Sequence, residues 1–372
     1  MQNIFSGVRI IDITKVFSGP FATRMLADYG AEVIKIESEA NYDDSRNYPP
    51  YKDNWSGYYE ILNRNKYGIS LSLKYDDDLK KLYRLIKEAD VFVENLTPST
   101  KYKLKVDYAV LKAINPKIIY ASLSGIGQDS NKRYYDVIAQ AQSGLMSLSG
   151  YQSGPMKIGP SVVDAFSGMT LAFGIASALF YREKTGKGQY LDVSMLSSAM
   201  NLLESNLIEY SIVKKNPIRA GNHDNAISPF GAYKAKDAFI VIAAGNENIW
   251  KVFADFLKKH ISFDETLFSS NLLRLKNNNV LTEIIEKVLA KYNVSEIEKI
   301  FSETNIPCSK VNEMSDIAKD EDNFKRKALF LFKHSKLGEC IVPGGSIKFS
   351  ECDVKELEEA PEIGEDDNKY GL

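Results

Sequence analysis

Cysteine, histidine and any excess of one charge are scarce in this chain of 372 residues. Its three cysteines, Cys308, Cys340 and Cys352, all fall in the last fifth, and none forms a CxxC pair. An odd, unpaired set supports neither a disulfide framework nor a thiolate zinc site, and a reducing cytoplasm is the expected compartment. His223, His260 and His334 lie far apart with no ligand spacing, so no metal centre is expected. Lys plus Arg is 47 and Asp plus Glu is 49, a net charge of −2, which leaves no broad basic surface for nucleic acid. The N-terminus lacks the layout of a signal peptide. The apolar stretch Gly168–Tyr181 is shorter than the roughly 20 residues that span a bilayer, so it reads as a buried core helix and no membrane is expected. There is no Walker A sequence and no G-x-S-x-G elbow. The first strand–helix loop offers Ser18-Gly19-Pro20 in place of G-x-G-x-x-G, so no nicotinamide site is expected.

What is present alternates. Val8–Ile13 is a β-branched apolar run that predicts a buried strand, Phe21–Tyr29 has helical spacing closed by Gly30, and Val33–Ile36 predicts the next strand. Ile69–Leu73, Val91–Glu94, Ile118–Leu123 and Tyr190–Val193 predict further strands. Asp76–Ala89, Tyr108–Ile114, Tyr135–Leu148, Ala165–Tyr181 and Met195–Val213 predict helices. This order argues for an α/β fold on a mostly parallel sheet. A long polar loop, Ser38–Gly57, is the kind that is functional or disordered. The basic, polar stretch Lys214–Asn225 suggests a boundary. Beyond it, Asp237–Ala244 predicts a strand, and Ile249–His260, Val280–Tyr292 and Asp316–Ala328 predict helices. Ala328–Lys333 and Cys340–Ile347 predict a strand pair, and Glu356–Asp367 a solvated acidic end.

Asp164 stands out at the entry to the apolar helix. The plain reading is structural, because Asp is favoured at helix starts and Ser161-x-x-Asp164 resembles a capping box. The functional reading uses the same physics. A helix N-terminus favours negative charge, and an ionised, partly desolvated carboxylate is a competent nucleophile toward an activated acyl group.

Several blocks, taken in order, resemble the family III CoA-transferases, the formyl-CoA transferase and carnitine CoA-transferase (CaiB/BaiF) family. They are Gly7–Asp12, Ser18-Gly19-Pro20, Leu26–Glu37, Asn63–Lys66, Ala89–Pro98, Ser122–Gln128, Tyr135-Asp136 with Gln140-Ala141, and Thr185–Gln189. The resemblance implies a large Rossmann-like parallel-sheet domain, residues 1–213, and a smaller α+β domain, residues 214–322. Residues 323–372 would return to the large domain, and two chains would form an interlocked, ring-like homodimer. It implies coenzyme A as substrate, with no metal and no nicotinamide, and acyl-CoA and small carboxylic acids as partners.

Under the same resemblance Asp164 is the covalent nucleophile. It forms an aspartyl anhydride and then an aspartyl-CoA thioester. Val16, Phe17 and Ser18 lie near CoA, and Leu71, Ser72, Leu73 and Lys74 flank the adenine nucleotide. Asn95, Leu96 and Thr97 sit at a strand end, Lys103 and Arg133 contact phosphates, and Arg133, Tyr134, Tyr135 and Asp136 border the pantetheine. Phe17 stands where oxalate-handling formyl-CoA transferases carry Gln, which implies an acceptor other than oxalate. Of the usual glycine-rich lid only Gly245 is present. A 2-methylacyl-CoA racemase of the same family would need a histidine that Tyr135–Ala141 lacks. A non-catalytic CoA-binding protein and a nicotinamide-dependent dehydrogenase are the remaining alternatives.

Overall fold

A computed structural model describes residues 3–372. The chain divides into two compact units. One comprises the chain up to Leu145, Ile158–Ser205 and Glu321–Leu372; the other comprises Met146–Lys157 and Asn206–Asp320. The changes of unit fall at 205/206 and 320/321, beside the expected 213/214 and 322/323, and Met146–Lys157 groups with the second unit.

The first unit is built on six strands: β1 (Arg9–Asp12), β2 (Glu32–Glu37), β3 (Tyr67–Ser70), β4 (Val91–Glu94), β5 (Ile119–Ser124) and β6 (Tyr190–Ser194). Their order across the sheet is β3-β2-β1-β4-β5-β6 and every neighbouring pair is parallel. Parallel strands covered on both faces carry apolar runs, and Ile10, Ile11, Val33, Ile34, Val91 and Phe92 are fully buried. Helix α1 (Ser18–Asp28) links β1 to β2, α2 (Gly57–Asn63) precedes β3, and α3 (Asp76–Glu88) links β3 to β4. Three aspartates in the first turn of α3 suit its positive end, and Leu79, Leu82, Leu85 and Ile86 form its buried stripe. Pro98 opens α4 (Pro98–Lys103), and α5 (Tyr108–Ile114) follows it.

Three expected helices are divided. Asp316–Ala328 becomes two short ones, Met314–Lys319 and Glu321–Lys325, parted at the extended Asp320. Tyr135–Leu148 becomes α6 (Asp136–Gln142) and one further turn. Met195–Val213 is interrupted after α8 (Met195–Met200), where Glu204 takes φ +50°. The apolar helix α7 runs Val162–Thr185, 24 residues, and is long and apolar enough to cross a bilayer by length and composition. One face is buried through Val163, Ser167, Gly168, Leu171 and Ile175, while Phe173 and Phe180 on the other are 74% and 64% exposed. The expected core helix therefore has a covered face and an open apolar face.

The acidic end Glu356–Asp367 differs from the expected solvated tail. Ala360 is buried, and the Asp366 and Asp367 carboxylates accept from Gly68 N and Ser70 N at 2.8 Å on the edge strand β3. The expected strand pair is present as β10 (Leu329–His334) and β11 (Gly338–Pro343).

The second unit holds a three-stranded antiparallel sheet of β7 (Phe230–Lys234), β8 (Phe239–Ala243) and β9 (Cys308–Lys310). One face packs on α10 (Glu247–Lys258), α11 (Asn278–Leu289) and α12 (Val294–Glu303) through Ile240, Ile242, Phe253, Ile285 and Phe301. Residues Asn206–Val213, helix α9, also belong here.

The first unit buries charge beneath its sheet ends. Asp12 pairs with Lys66 at 3.0 Å, Lys35 with Asp43 at 2.9 Å, and Glu37 with Arg46 at 2.7 Å. Burial pushes the Asp12 carboxyl up, but the ammonium groups of Lys66 and Lys35 and two threonine hydroxyls outweigh it and hold it at about 2. Burial likewise opposes the Glu37 charge, and Arg46 and Lys35 bring that group to about 2. Both folded values lie below the roughly 4 of unfolded Asp and Glu. This stabilisation is therefore present above about pH 4 and is lost as pH falls from there toward 2. The thermal midpoint is expected to be flat from about pH 7 to 5 and to drop steeply below about pH 4. A midpoint that stays level down to about pH 2.5 contradicts this account.

Candidate active site

The strand order reverses direction between β1 and β4, and ligands of open parallel sheets collect at the carboxyl ends of such a pair. The loops that leave β1 and β4 meet there. The side-chain amide of Asn95 clamps the backbone of Lys15 on both sides, accepting from Lys15 N at 3.0 Å and donating to Lys15 O at 2.8 Å. A cavity of about 210 Å³ opens beside this clamp. Nine of the expected contacts reach its wall: Val16, Phe17 and Ser18 from the β1 loop, Asn95, Leu96 and Thr97 from the β4 loop, and Arg133, Tyr134 and Tyr135 ahead of α6. Asp164 lines the same wall.

A second cavity, about 530 Å³, lies along the ends of β2 and β3. Leu71, Ser72, Leu73, Lys74 and Lys103 line it, so the expected contacts divide into two groups. Lys15 and Leu96 belong to both walls. Lys15 was not singled out from sequence. Its ammonium donates to Asn41 Oδ1 at 2.8 Å, and burial lowers its pKa, opposed by Asp44 and Asp43.

Asp136 lines neither cavity. It is buried beneath the start of α7, where its Oδ1 accepts from Val163 N at 2.9 Å and Asp164 N at 3.2 Å, while its Oδ2 accepts from Gln140 Nε2 at 2.6 Å. The expected capping box is thereby corrected. Ser161 makes no side-chain cap bond, and a carboxylate 28 residues upstream of Asp164 accepts from the N–H groups of Val163 and Asp164. This long-range cap fixes the first turn that carries Asp164.

Two helices bring the remaining groups together. Ser18 Oγ, in the first turn of α1, donates a hydrogen bond to Asp164 Oδ1. α1 and α7 pack so closely at Gly168 that a Cβ there would lie 2.6 Å from Ser18 O and 2.9 Å from Phe21 Cδ1. Only glycine allows this approach. Tyr58, on α2, was also missed from sequence. Its ring meets Phe17 edge-on at 6.1 Å and Tyr48 at 5.5 Å, and Phe17 stacks on Phe21 at 5.6 Å. Burial, and then the negative charge of Asp164, push the Tyr58 hydroxyl up to about 12, so it stays protonated at neutral pH. No group of three or more histidine, cysteine or acidic side chains placed to hold a metal occurs among the described residues.

The profile of CoA-transferase family III matches residues 5–367. The chain belongs to this family. As a family III CoA-transferase it is an enzyme of the CoA-transferase class. It is 35% identical to an acetyl-CoA:oxalate CoA-transferase of Acetobacter aceti over 97% of this chain and 93% of that one. It is 32% identical to the human succinyl-CoA:glutarate CoA-transferase over 98% of this chain and 85% of that one. Among solved structures, a CaiB/BaiF family protein from Brucella suis shares 28% identity, with a TM-score of 0.89 over 99% of this chain and 98% of that one. The expected family and the α/β fold are thus established for this CoA-transferase.

Proposed function

We propose that the enzyme moves CoA from a donor acyl-CoA to an acceptor carboxylic acid, with Asp164 as the covalent carrier. One observation carries this reading: the Asp164 carboxylate faces a cavity at the switch point of a parallel sheet, fixed from below by Asp136 and from the side by Ser18.

The Asp164 oxygen attacks the donor thioester carbonyl, the C–S bond breaks, and a mixed anhydride forms with release of CoA thiolate. The thiolate attacks the aspartyl carbonyl, the anhydride C–O bond breaks, and the donor leaves as its carboxylate. The acceptor carboxylate repeats these steps in reverse order, ending with its own thioester and a free Asp164 carboxylate. No step gains or loses a proton. Such chemistry asks for no general acid or base, and neither cavity wall contains a histidine. The demand is for oxyanion stabilisation, and the Ser18 hydroxyl, bonded to Asp164, is the donor at hand, with the protonated Tyr58 hydroxyl in the field of the same carboxylate.

The second cavity suits the adenine nucleotide, with Lys74 and Lys103 as phosphate contacts. Lys15, shared by both cavities, suits the pyrophosphate between head and tail. Lys132 and Arg133 add positive charge at the first cavity, which favours an anionic acceptor. The names of the two relatives make acetyl-CoA or succinyl-CoA the first donors to try, and oxalate and glutarate the first acceptors. The aromatic wall of Phe17 favours an acid with apolar carbons over oxalate. The open apolar face of α7 supports the expected interlocked homodimer, since an exposed stripe of this kind marks an interface. The large unit would carry both CoA and the chemistry, and the cytoplasm would be the compartment.

The test is a matrix of acyl-CoA donors and carboxylic acids read by mass spectrometry, with hydroxylamine added during turnover. Acceptor-dependent transfer and an aspartyl hydroxamate at Asp164 are expected. Absence of transfer across the matrix, or a hydroxamate elsewhere, overturns the reading.

A further inference from the structure

Val16, in the middle of the loop that forms the cavity wall, has φ +70°. For a β-branched residue this is a true outlier, because the left-handed region crowds Cβ against its own backbone. Such a conformation persists only where the surroundings hold it. The surroundings here are specific. Lys15 is clamped by Asn95 on the preceding side. The N–H of Val16 donates to Asp43 Oδ1 at 2.9 Å. The other oxygen of Asp43 takes Lys35 Nζ at 2.9 Å, and the same ammonium donates to Thr14 O at 2.8 Å. Asp43 is held in turn by Ser45 N at 3.0 Å and Ser45 Oγ at 2.8 Å. Both Lys35 and Asp43 are fully buried, and neither lines a cavity.

The consequence for the site lies downstream. From Val16 the chain passes through Phe17 straight into α1, whose first residue, Ser18, bonds Asp164. The turn is tight: a Cβ at Gly19 would lie 2.5 Å from Thr14 Cβ. If Val16 returned to the extended region, the direction of the chain into α1 would change, and Phe17 and Ser18 with it. A buried ion pair is in itself weak support for stability and can often be replaced by apolar side chains at no loss. Lys35 also serves Asp12 and Glu37, so the geometric effect on Val16 is isolated by comparing variants that lose Lys35 equally and differ only in the acceptor at residue 43.

We propose that Asp43, neutralised by Lys35, is a positioning residue of the active site, holding Val16 in its left-handed conformation and so setting Phe17 and Ser18 against Asp164. The proposal rests on the reading of Asp164 as carrier, and its test compares two matched variants. Lys35→Met/Asp43→Asn removes the charges and keeps an oxygen acceptor for the N–H of Val16. Lys35→Met/Asp43→Leu removes the acceptor as well. The asparagine variant is expected to retain kcat within about fivefold of wild type. The leucine variant is expected to lose about a hundredfold in kcat, with KM for acyl-CoA changed by less than about fivefold, since a misplacement near 1 Å is enough for that loss. Adding Val16→Gly to the leucine variant is expected to restore about tenfold, because glycine enters the left-handed region without strain. If leucine does not fit, Lys35→Met/Asp43→Ala lacks the acceptor equally and takes its place. Equal kcat values in the matched pair, or no recovery on adding Val16→Gly, overturns the proposal. A wild-type chain that transfers no CoA sinks the reading of Asp164 instead.

Discussion

Asp164→Ala is expected to lower kcat for CoA transfer by at least about 10⁴-fold while CoA binds within about threefold of wild type. The two expectations separate because the groups are separate. The residues of the second cavity are distinct from Asp164, and Lys15 and Leu96 connect the two walls without it. The fold loses the bond from Ser18 but keeps the cap of the helix. Alanine favours helix, and the N–H groups at residues 163 and 164 still meet Asp136. Asp164→Asn makes the sharper case. Its amide oxygen still accepts from Ser18, yet an amide is no nucleophile toward a thioester, so transfer is lost with the hydrogen bond kept. Single-turnover transfer and calorimetric titration with CoA check both variants. A kcat within about tenfold of wild type in either would remove the covalent route.

Asp28→Ala is expected to cost about 3–5 kcal/mol of stability, a fall in thermal midpoint on the order of 10 °C. The Asp28 carboxylate is buried at the end of α1 and serves two guanidinium groups. Arg24 Nη1 donates to it at 2.8 Å, Arg64 Nη2 at 2.8 Å and Nε at 3.2 Å, and Asn65 Nδ2 adds a fourth bond at 2.8 Å. Burial opposes this charge, but the bond from Arg64 and the charge of Arg24 hold the Asp28 carboxyl below the usual range. Removing it leaves two buried cations facing each other. Arg64 also donates to Pro343 O at 2.9 Å, so the strain passes to the C-terminal part of the unit. Asp28→Asn keeps the shape and an acceptor and is expected to cost about half as much. A midpoint for Asp28→Ala within about 2 °C of wild type would show that the cluster relaxes freely.

The parallel core was legible because β-branched runs such as Val8–Ile13 and Val91–Glu94 have few other fates. Breaks without glycine or proline were not: Glu204 divides a continuous apolar pattern by one positive φ. Helix α12 had a readable signal in the capping box of Asn293 and Glu296, and the strand β7 had little beyond Phe230–Lys234 itself. At the site, residue spacing pointed to Asp164 only as a cap, and the resemblance supplied its candidacy. Spacing could not show that Asp136 does the capping, because that bond joins separate elements. Lys15 and Tyr58 were hidden for the same reason: long-range folding alone brings Lys15 to both cavity walls and Tyr58 against Phe17.

The close seam between α1 and α7 has a consequence for variation in this enzyme. Gly168 lines neither cavity, and an inventory of substrate contacts would pass over it. Even so, one added methyl group would wedge the helices apart and carry Asp164 away from the Ser18 hydroxyl. Tolerance to substitution is therefore governed on this side of the molecule by the spacing of two backbones, and a chain could lose its chemistry with every substrate contact intact.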